Sequence, residues 1–352
     1  MPVDEGLAHL SDTLFTTAIA GYSVALLSYC AEYAFGRRGR VAETSLAQTS
    51  PVDESAVLAP AGVGEGERVA AASGTAGTAT VGAEPGGPAA AVGARPERFG
   101  RIAVALTAVG LLLHAGSLLL RGIAVDRAPW GNMYEFSSAV GAVAVAAYLV
   151  VLVRQPLARH LGMFVMLPVI VLMFLAGTVL YAKSGALVPA LRSYWLAIHV
   201  SAAIIATGIF LVSCVATVLY LVRERWDRPV AAGRQPTRFP VALGGRLPAA
   251  ALLDRVAYRT VAFGFPIWTF AIIAGAIWAE AAWGRYWSWD PKETWAFVAW
   301  VCYAAYLHAR ATAGWRGVKA ARINLLAFGT MTFNFFVVNI VISGLHSYAG
   351  LR

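Results

Sequence analysis

Residues 261–309 read VAFGFPIWTFAIIAGAIWAEAAWGRYWSWDPKETWAFVAWVCYAAYLHA. Two apolar runs, 261–281 and 294–309, flank a span of thirteen residues, 283–295, that holds four Trp and one Tyr. An α-helix needs about 20 apolar residues to cross a ~30 Å hydrocarbon layer. The stretch therefore reads as two membrane helices joined by an aromatic turn. Asp290-Pro291-Lys292-Glu293 has the signature of a helix start, with Asp at the N-cap, Pro at the first helical position and Glu at the third. The second helix is expected to begin at 291, which leaves Trp283, Trp287 and Trp289 at the membrane boundary.

Working outward, blocks of the same kind recur at 14–35, 100–120, 135–153, 161–181 and 195–222, and again at 323–345 after the quoted pair. Hydrophobic residues make up 59% of the 352 and charged residues 13%. Soluble domains lie nearer half and a quarter. The expected fold is all-α: a polytopic integral membrane protein with about eight transmembrane helices. The net charge of +9 follows the same threading. If the blocks alternate, 21 of the 28 Lys and Arg fall on one side and 7 on the other. The positive-inside rule then places both termini on the extracytoplasmic side. Topology and contact with anionic lipid account for the basic balance, so a nucleic-acid role is excluded.

Cys30, Cys214 and Cys302 each sit inside an apolar block with no C-x-x-C spacing, which excludes a disulfide framework or thiol-redox motif. The polar start MPVDEGLAHLSD lacks a basic leader, so the first block is expected to stay as an anchor. Three regions follow. Residues 1–40 form an amino-terminal transmembrane helix, expected to begin after Ser11-Asp12. Residues 41–98, rich in Ala and Gly and without an aromatic side chain before Phe99, read as a disordered cytoplasmic linker. Residues 99–352 form a seven-helix domain carrying the aromatic loop 282–295. Residues 223–260 read as a cytoplasmic loop with a short surface helix at 249–258.

The aromatic residues cluster on the extracytoplasmic side: Trp130, Tyr134, Tyr194, Trp195, Trp283, Tyr286, Trp287, Trp289 and Trp295. One reading is an interfacial belt. The other is a stacking platform for a large planar ligand, and the density and one-sidedness favour it. Of six His, four lie in or beside apolar blocks, where ionisable groups are expensive. A single neutral His bonded to a neighbouring helix is the ordinary alternative for each. His199 lies near the outer end of the fifth block and His346 just past the outer end of the eighth. His308 is ~22 Å deeper along the seventh at ~1.5 Å per residue. His114 is at intermediate depth, and His160 reads as a loop residue. No Cys or carboxylate cluster joins His199 and His346 to complete a zinc site, whereas a haem needs only two axial ligands.

WGRYWSWDPKETW resembles the tryptophan-rich WWD signature of the haem-handling superfamily that includes CcsA/ResC of system II cytochrome c biogenesis and CcmC and CcmF of system I. APWGNMYEF at 128–136 resembles an outer-loop motif of the CcsA branch, and the spacing of His199, His308 and His346 matches it. The resemblance implies work with a ResB/CcsB-type membrane partner. Together they would carry haem b to the outer face and attach it to the CxxCH of apocytochrome c, as a cytochrome c synthase (haem lyase) complex of the bacterial plasma membrane. It implies that His199 and His346 ligate the haem iron under the loop, and that His308 ligates it inside the membrane opposite a ligand from the partner. Trp283, Trp287, Trp289, Asp290 and Trp295 would contact the haem, and Arg285 or Lys292 would pair with its propionates. The competing readings are a haem exporter or chaperone without ligation activity and a di-haem electron-transfer subunit.

Overall fold

A computed structural model describes residues 3–35, 88–185, 193–312 and 314–346, with 88–96 as backbone only. Eight α-helices occur among them: α1 (Glu5–Phe35), α2 (Pro88–Ala124), α3 (Met133–Arg154), α4 (Gly162–Thr178), α5 (Tyr194–Ala231), α6 (Ala250–Trp283), α7 (Pro291–Ala311) and α8 (Val318–Phe333). No strand is found among the described residues. Short 3-10 turns lie at Pro156–Leu161, which contains His160, and at Val241–Arg246; a π-helical turn, Asn334–Val338, continues α8. Helices satisfy their own backbone groups, which is the condition for crossing lipid. Seven of these segments are long and apolar enough to do so. The chain is a multi-pass membrane protein.

The expected count of eight spans needs one qualification. α7 has the length, 21 residues, but not the composition. Trp295, Trp300, Tyr303, Tyr306 and His308 lower its mean hydropathy below that of a lipid-facing span. Other boundaries also differ from expectation. α1 starts at Glu5, capped by Asp4, whose Oδ1 accepts from Leu7 N at 3.0 Å. Ser11 instead donates to Ser117 O at 2.9 Å, and Asp12 pairs with Arg121, so both side chains serve helix packing. α5 runs on to Ala231 past the apolar block, supported by ion pairs one turn apart, Arg223–Asp227 and Arg228–Glu224. The expected short helix at 249–258 is the first part of α6. Of the expected linker, 41–87 lies outside the described residues, and its last part is already α2, which opens with Pro88 before an alanine run.

α1 packs along α2, and α5 along α6, with α3 and α4 between the pairs and α7 and α8 closing the far side. Small residues let backbones approach, as expected where the surrounding solvent is lipid. A Cβ at Gly110 would stand 2.6 Å from the Tyr22 ring, and one at Gly208 would stand 2.7 Å from Val143. The expected outer segments gather at one end of the bundle. There Asp4 N donates to Ala124 O, Arg121 reaches Ala182 O, and residues 344–346 fold over the start of α7.

Candidate functional site

The aromatic turn is built by two helix ends. Gly284 takes left-handed backbone (φ 71°) and its N–H donates to Glu280 O at 2.8 Å, which stops α6. Asp290 caps α7, accepting from Lys292 N at 3.2 Å. Glu293 completes the capping box, its carboxylate accepting from Asp290 N at 3.2 Å and Ser288 N at 2.8 Å. Trp289, between those two amides, is forced to φ 58°, a conformation a bulky residue rarely adopts. The start at 291 is as the sequence predicts.

Asp290 also ties the carboxyl-terminal segment to this turn. Oδ1 accepts from Leu345 N at 2.6 Å, and Oδ2 from His346 Nδ1 at 2.8 Å. Burial alone would raise its carboxyl, but these hydrogen bonds and the His346 imidazole hold it below the usual carboxylate range. It is ionised at neutral pH, so His346 Nδ1 is the donor. His199 is fixed in the same way from the other side: its Nδ1 lies 2.7 Å from Ala271 O, a carbonyl that can only accept. In both rings Nδ1 is thus anchored on an acceptor, which leaves Nε2 as the nitrogen through which a metal would be ligated.

Both rings pack on Trp278. His199 stacks with it at 6.1 Å and 10°, and His346 meets its edge at 5.8 Å and Trp283 at 5.0 Å. Gly275 admits the His199 ring, since a Cβ there would be 2.7 Å from it. The two imidazoles line one cleft that holds about 1380 Å³ of space, part of it open to solvent. Its walls are Trp130, Phe136, Trp268, Trp278, Trp283, Trp287, Met331 and Phe335, with Lys292, Glu293, Asn132, Asn334 and Asn339 as polar points. Lys292 Nζ donates to Asn339 Oδ1, which the π-helical turn places one turn beyond α8 proper. Four buried polar atoms at this cleft have no hydrogen-bond partner: Trp130 Nε1, Trp268 Nε1, Trp287 Nε1 and Asn334 Oδ1. An apolar, indole-walled slot with two imidazoles anchored through Nδ1 and unmatched donors fits a flat metal-bearing ligand with acidic substituents. Among the described residues no group of three or more His, Cys, Asp and Glu fits a bare ion.

Of the residues singled out in the sequence, His199, His346, Trp283 and Trp287 meet at the cleft, and so does Lys292. Asp290 stands behind His346 as its hydrogen-bond acceptor. Trp289 is exposed, meeting Trp287 and Phe297 at their edges. Trp295 packs on Phe333 at 4.2 Å, off the cleft wall, and Arg285 is exposed. His308 is exposed near the far end of α7 and does not line the cleft. His114 is fully buried, with Nε2 2.9 Å from Ser138 Oγ, a satisfied core histidine. Sequence reasoning missed Trp278, Trp268, Gly275, Asn334 and Asn339. The first three are unmarked members of an apolar run. The two Asn were visible as polar residues within the last apolar block.

The profile described as cytochrome C assembly protein matches residues 130–346. The protein named cytochrome c biogenesis protein CcsA of Gloeobacter violaceus is 33% identical over 295 residues, covering 71% of this chain and 87% of that protein. Its namesake in Microcystis aeruginosa is 34% identical over 293 residues, covering 70% and 85%. A third, from Guillardia theta, is 41% identical over 177 residues, 48% of this chain and 59% of that protein's length. The matched span runs from Trp130 at the cleft wall to His346 and takes in the whole constellation. The chain belongs to the cytochrome c assembly protein family, in its CcsA-type branch.

Proposed function

We propose that this chain handles haem in system II cytochrome c maturation. With a ResB/CcsB-type membrane partner, it carries haem b to the extracytoplasmic face of a bacterial plasma membrane and presents it there to the CxxCH of apocytochrome c. The observation that carries this reading is the convergence of His199 and His346 on one tryptophan-walled cleft, each with Nδ1 tied to an acceptor. Two imidazole nitrogens are what the iron of a haem takes axially. Trp278, Trp283 and Trp287 cover the macrocycle, and Lys292 rather than the exposed Arg285 is the cation within reach of a propionate.

Attachment asks little acid–base chemistry of this chain. Each thioether forms as a cysteine S–H adds across a vinyl C=C: one S–C bond forms, the proton goes to the neighbouring vinyl carbon, and no electrons are gained or lost overall. What the cleft supplies is position. His308 faces outward from α7, so a second ligand to iron at that depth would come from the partner. The chain is thus a subunit of the haem lyase, with the amino-terminal helix as one working unit and the helices from α2, which begins at Pro88, onward as the other.

The test is to co-express the chain with its partner, purify the complex, and record the haem absorbance and covalent transfer to a CxxCH peptide. Wild type should retain haem and transfer it. His199→Ala and His346→Ala should lose the outer-site spectrum and holocytochrome while still inserting in the membrane. Normal holocytochrome in the double variant would overturn the reading. Haem retention without transfer would leave an exporter or chaperone.

A further inference from the structure

Glu135 belongs to none of the functional groups above, yet its buried carboxylate accepts four hydrogen bonds. It is fully buried at the start of α3. Its carboxylate accepts from Arg121 Nε at 2.8 Å, from Arg127 at 2.8 and 3.1 Å, and from the backbone N–H of Gly131 at 2.7 Å. Arg121 is also buried, and its other nitrogens reach Asp12 of α1 and Ala182 O at the end of the fourth span. Arg127 reaches Gly185 O and Ala128 O. One carboxylate thus gathers α1, α2, α3 and the 182–185 segment.

A buried ion cluster is weak evidence for stability in itself, because desolvation offsets much of the Coulomb gain. The informative contact is the shortest, to Gly131 N–H. Gly131 follows Trp130, whose ring lines the cleft and whose Nε1 has no partner, and precedes Asn132, which caps α3 and lines the cleft as well. Loop 128–132 therefore hangs between Arg127, held by Glu135, and Asn132, whose Oδ1 accepts from Glu135 N at 2.9 Å. Both anchors of the loop are the same residue.

The geometry points to Glu135 as a positioning residue that sets the height of Trp130 over the cleft, and so couples the amino-terminal helix to the ligand site. The inference rests on the haem reading for its ligand but not for its geometry. Loosening this carboxylate should release the 128–132 loop while leaving the His199, Trp278 and His346 stack in place, because that stack is held from α5, α6 and Asp290.

The experiment has two readouts on the full-length chain in detergent. The first is hydrogen exchange without ligand. In Glu135→Gln the amides of 130–132 should lose protection while α5, α6 and α7 keep theirs. The second is titration with hemin, read at the Soret band, for Glu135→Gln, Trp130→Ala and the double variant. Each single change should weaken binding by about tenfold, in the range for outer-shell partners. The double should fall within about threefold of the worse single, because both act through one ring. A double loss equal to the product of the singles, wild-type affinity in Glu135→Gln, or exchange that quickens across the whole bundle would overturn the proposal. If Glu135→Gln fails to fold, Arg127→Gln, which leaves Arg121 and Gly131 on the carboxylate, carries the same expectations. A wild-type chain that takes up no hemin would sink the haem reading itself, and the exchange result would still report on the loop.

Discussion

Asp290→Asn is the change that separates helix capping from ligand positioning at this site. Asn and Asp cap helices about equally well, so α7 should lose little from the change itself when the amide oxygen takes the place of Oδ2 toward Lys292 N. The difference lies in the number of acceptors. Asp290 receives Leu345 N on Oδ1, and both Lys292 N and His346 Nδ1 on Oδ2. An amide has one oxygen. If that oxygen faces Leu345, the NH2 faces His346, which must then accept at Nδ1 and carry its proton on Nε2, where a metal ligand needs its lone pair. If the oxygen faces His346 instead, the NH2 confronts the Leu345 N–H across 2.6 Å, donor against donor, and pushes the residue next to His346 away. Either orientation disturbs His346 without touching the cleft wall. Loss of such an outer partner typically costs about 10–100-fold in metal-ligand affinity, about 1.4–2.8 kcal/mol. Asp290→Ala should in addition lose about 1 kcal/mol of cap and strand the Leu345 N–H at about 1–3 kcal/mol. Hemin titration at the Soret band, paired with thermal melting in detergent, reads both quantities. Asn should show weak hemin binding with a near-normal melt, and Ala should lose both. Wild-type affinity and an unchanged Soret position in the Asn variant would refute the assignment of His346 as a ligand oriented by Asp290.

Four further outcomes follow from the same geometry. Gly275→Ala should displace the His199 ring, since the new Cβ would meet it at 2.7 Å, and cut hemin affinity by about tenfold or more with little change in membrane insertion. Trp289→Gly should raise the melting point or leave it unchanged by relieving the left-handed backbone, a gain of about 1 kcal/mol; a drop in holocytochrome alongside would mark the exposed ring as a docking contact. Lys292→Met should weaken hemin binding more than Arg285→Met, because only Lys292 lines the cleft; equal effects would remove the propionate assignment. His308→Ala should leave hemin binding by the isolated chain unchanged but reduce haem in the complex with its partner; loss in the isolated chain would place His308 at the outer cleft.

The helices were legible because lipid imposes one simple requirement, a long apolar run closed on its own hydrogen bonds, and α2 to α6 show it directly. The start of α7 was legible because capping chemistry is local: Asp290, Pro291 and Glu293 act within a few residues of one another. What failed was also local in appearance but tertiary in cause. Ser11-Asp12 has the residue types of a cap, yet both side chains are engaged by α2, and Asp4 caps instead. Arg223 to Ala231 reads as a polar loop, yet ion pairs at a four-residue spacing carry α5 onward as helix. α7 shows the limit of hydropathy most clearly. Its aromatic residues reduce its apolarity because several of them are spent inside the bundle: Tyr303 stacks on Phe210 at 3.9 Å, Trp300 donates to Thr269, and Trp295 meets Phe333.

The same distinction explains the site. A residue whose side-chain type is unusual for its surroundings stands out in the sequence, which is why His199, His346 and the tryptophans of 283–295 could be picked from composition and spacing. A residue that acts by where it holds another does not stand out. Trp278 is one aromatic in an apolar helix until both imidazoles are seen to pack on it. Gly275 is one small residue among many until the His199 ring is found against it. Asp290 has the type of an N-cap and serves as one, and only the fold shows its carboxylate also orienting a histidine 56 positions later. The indole rings divide along this line as well. Trp283 and Trp287 wall the cleft, Trp295 braces α7 against α8, and Trp289 faces outward, so one dense motif supplies wall, brace and exposed surface at once. A belt that only anchored the chain at an interface would not need two of its rings to enclose a slot between hydrogen-bonded imidazoles, and that enclosure is the physical reason to read these tryptophans as a binding surface.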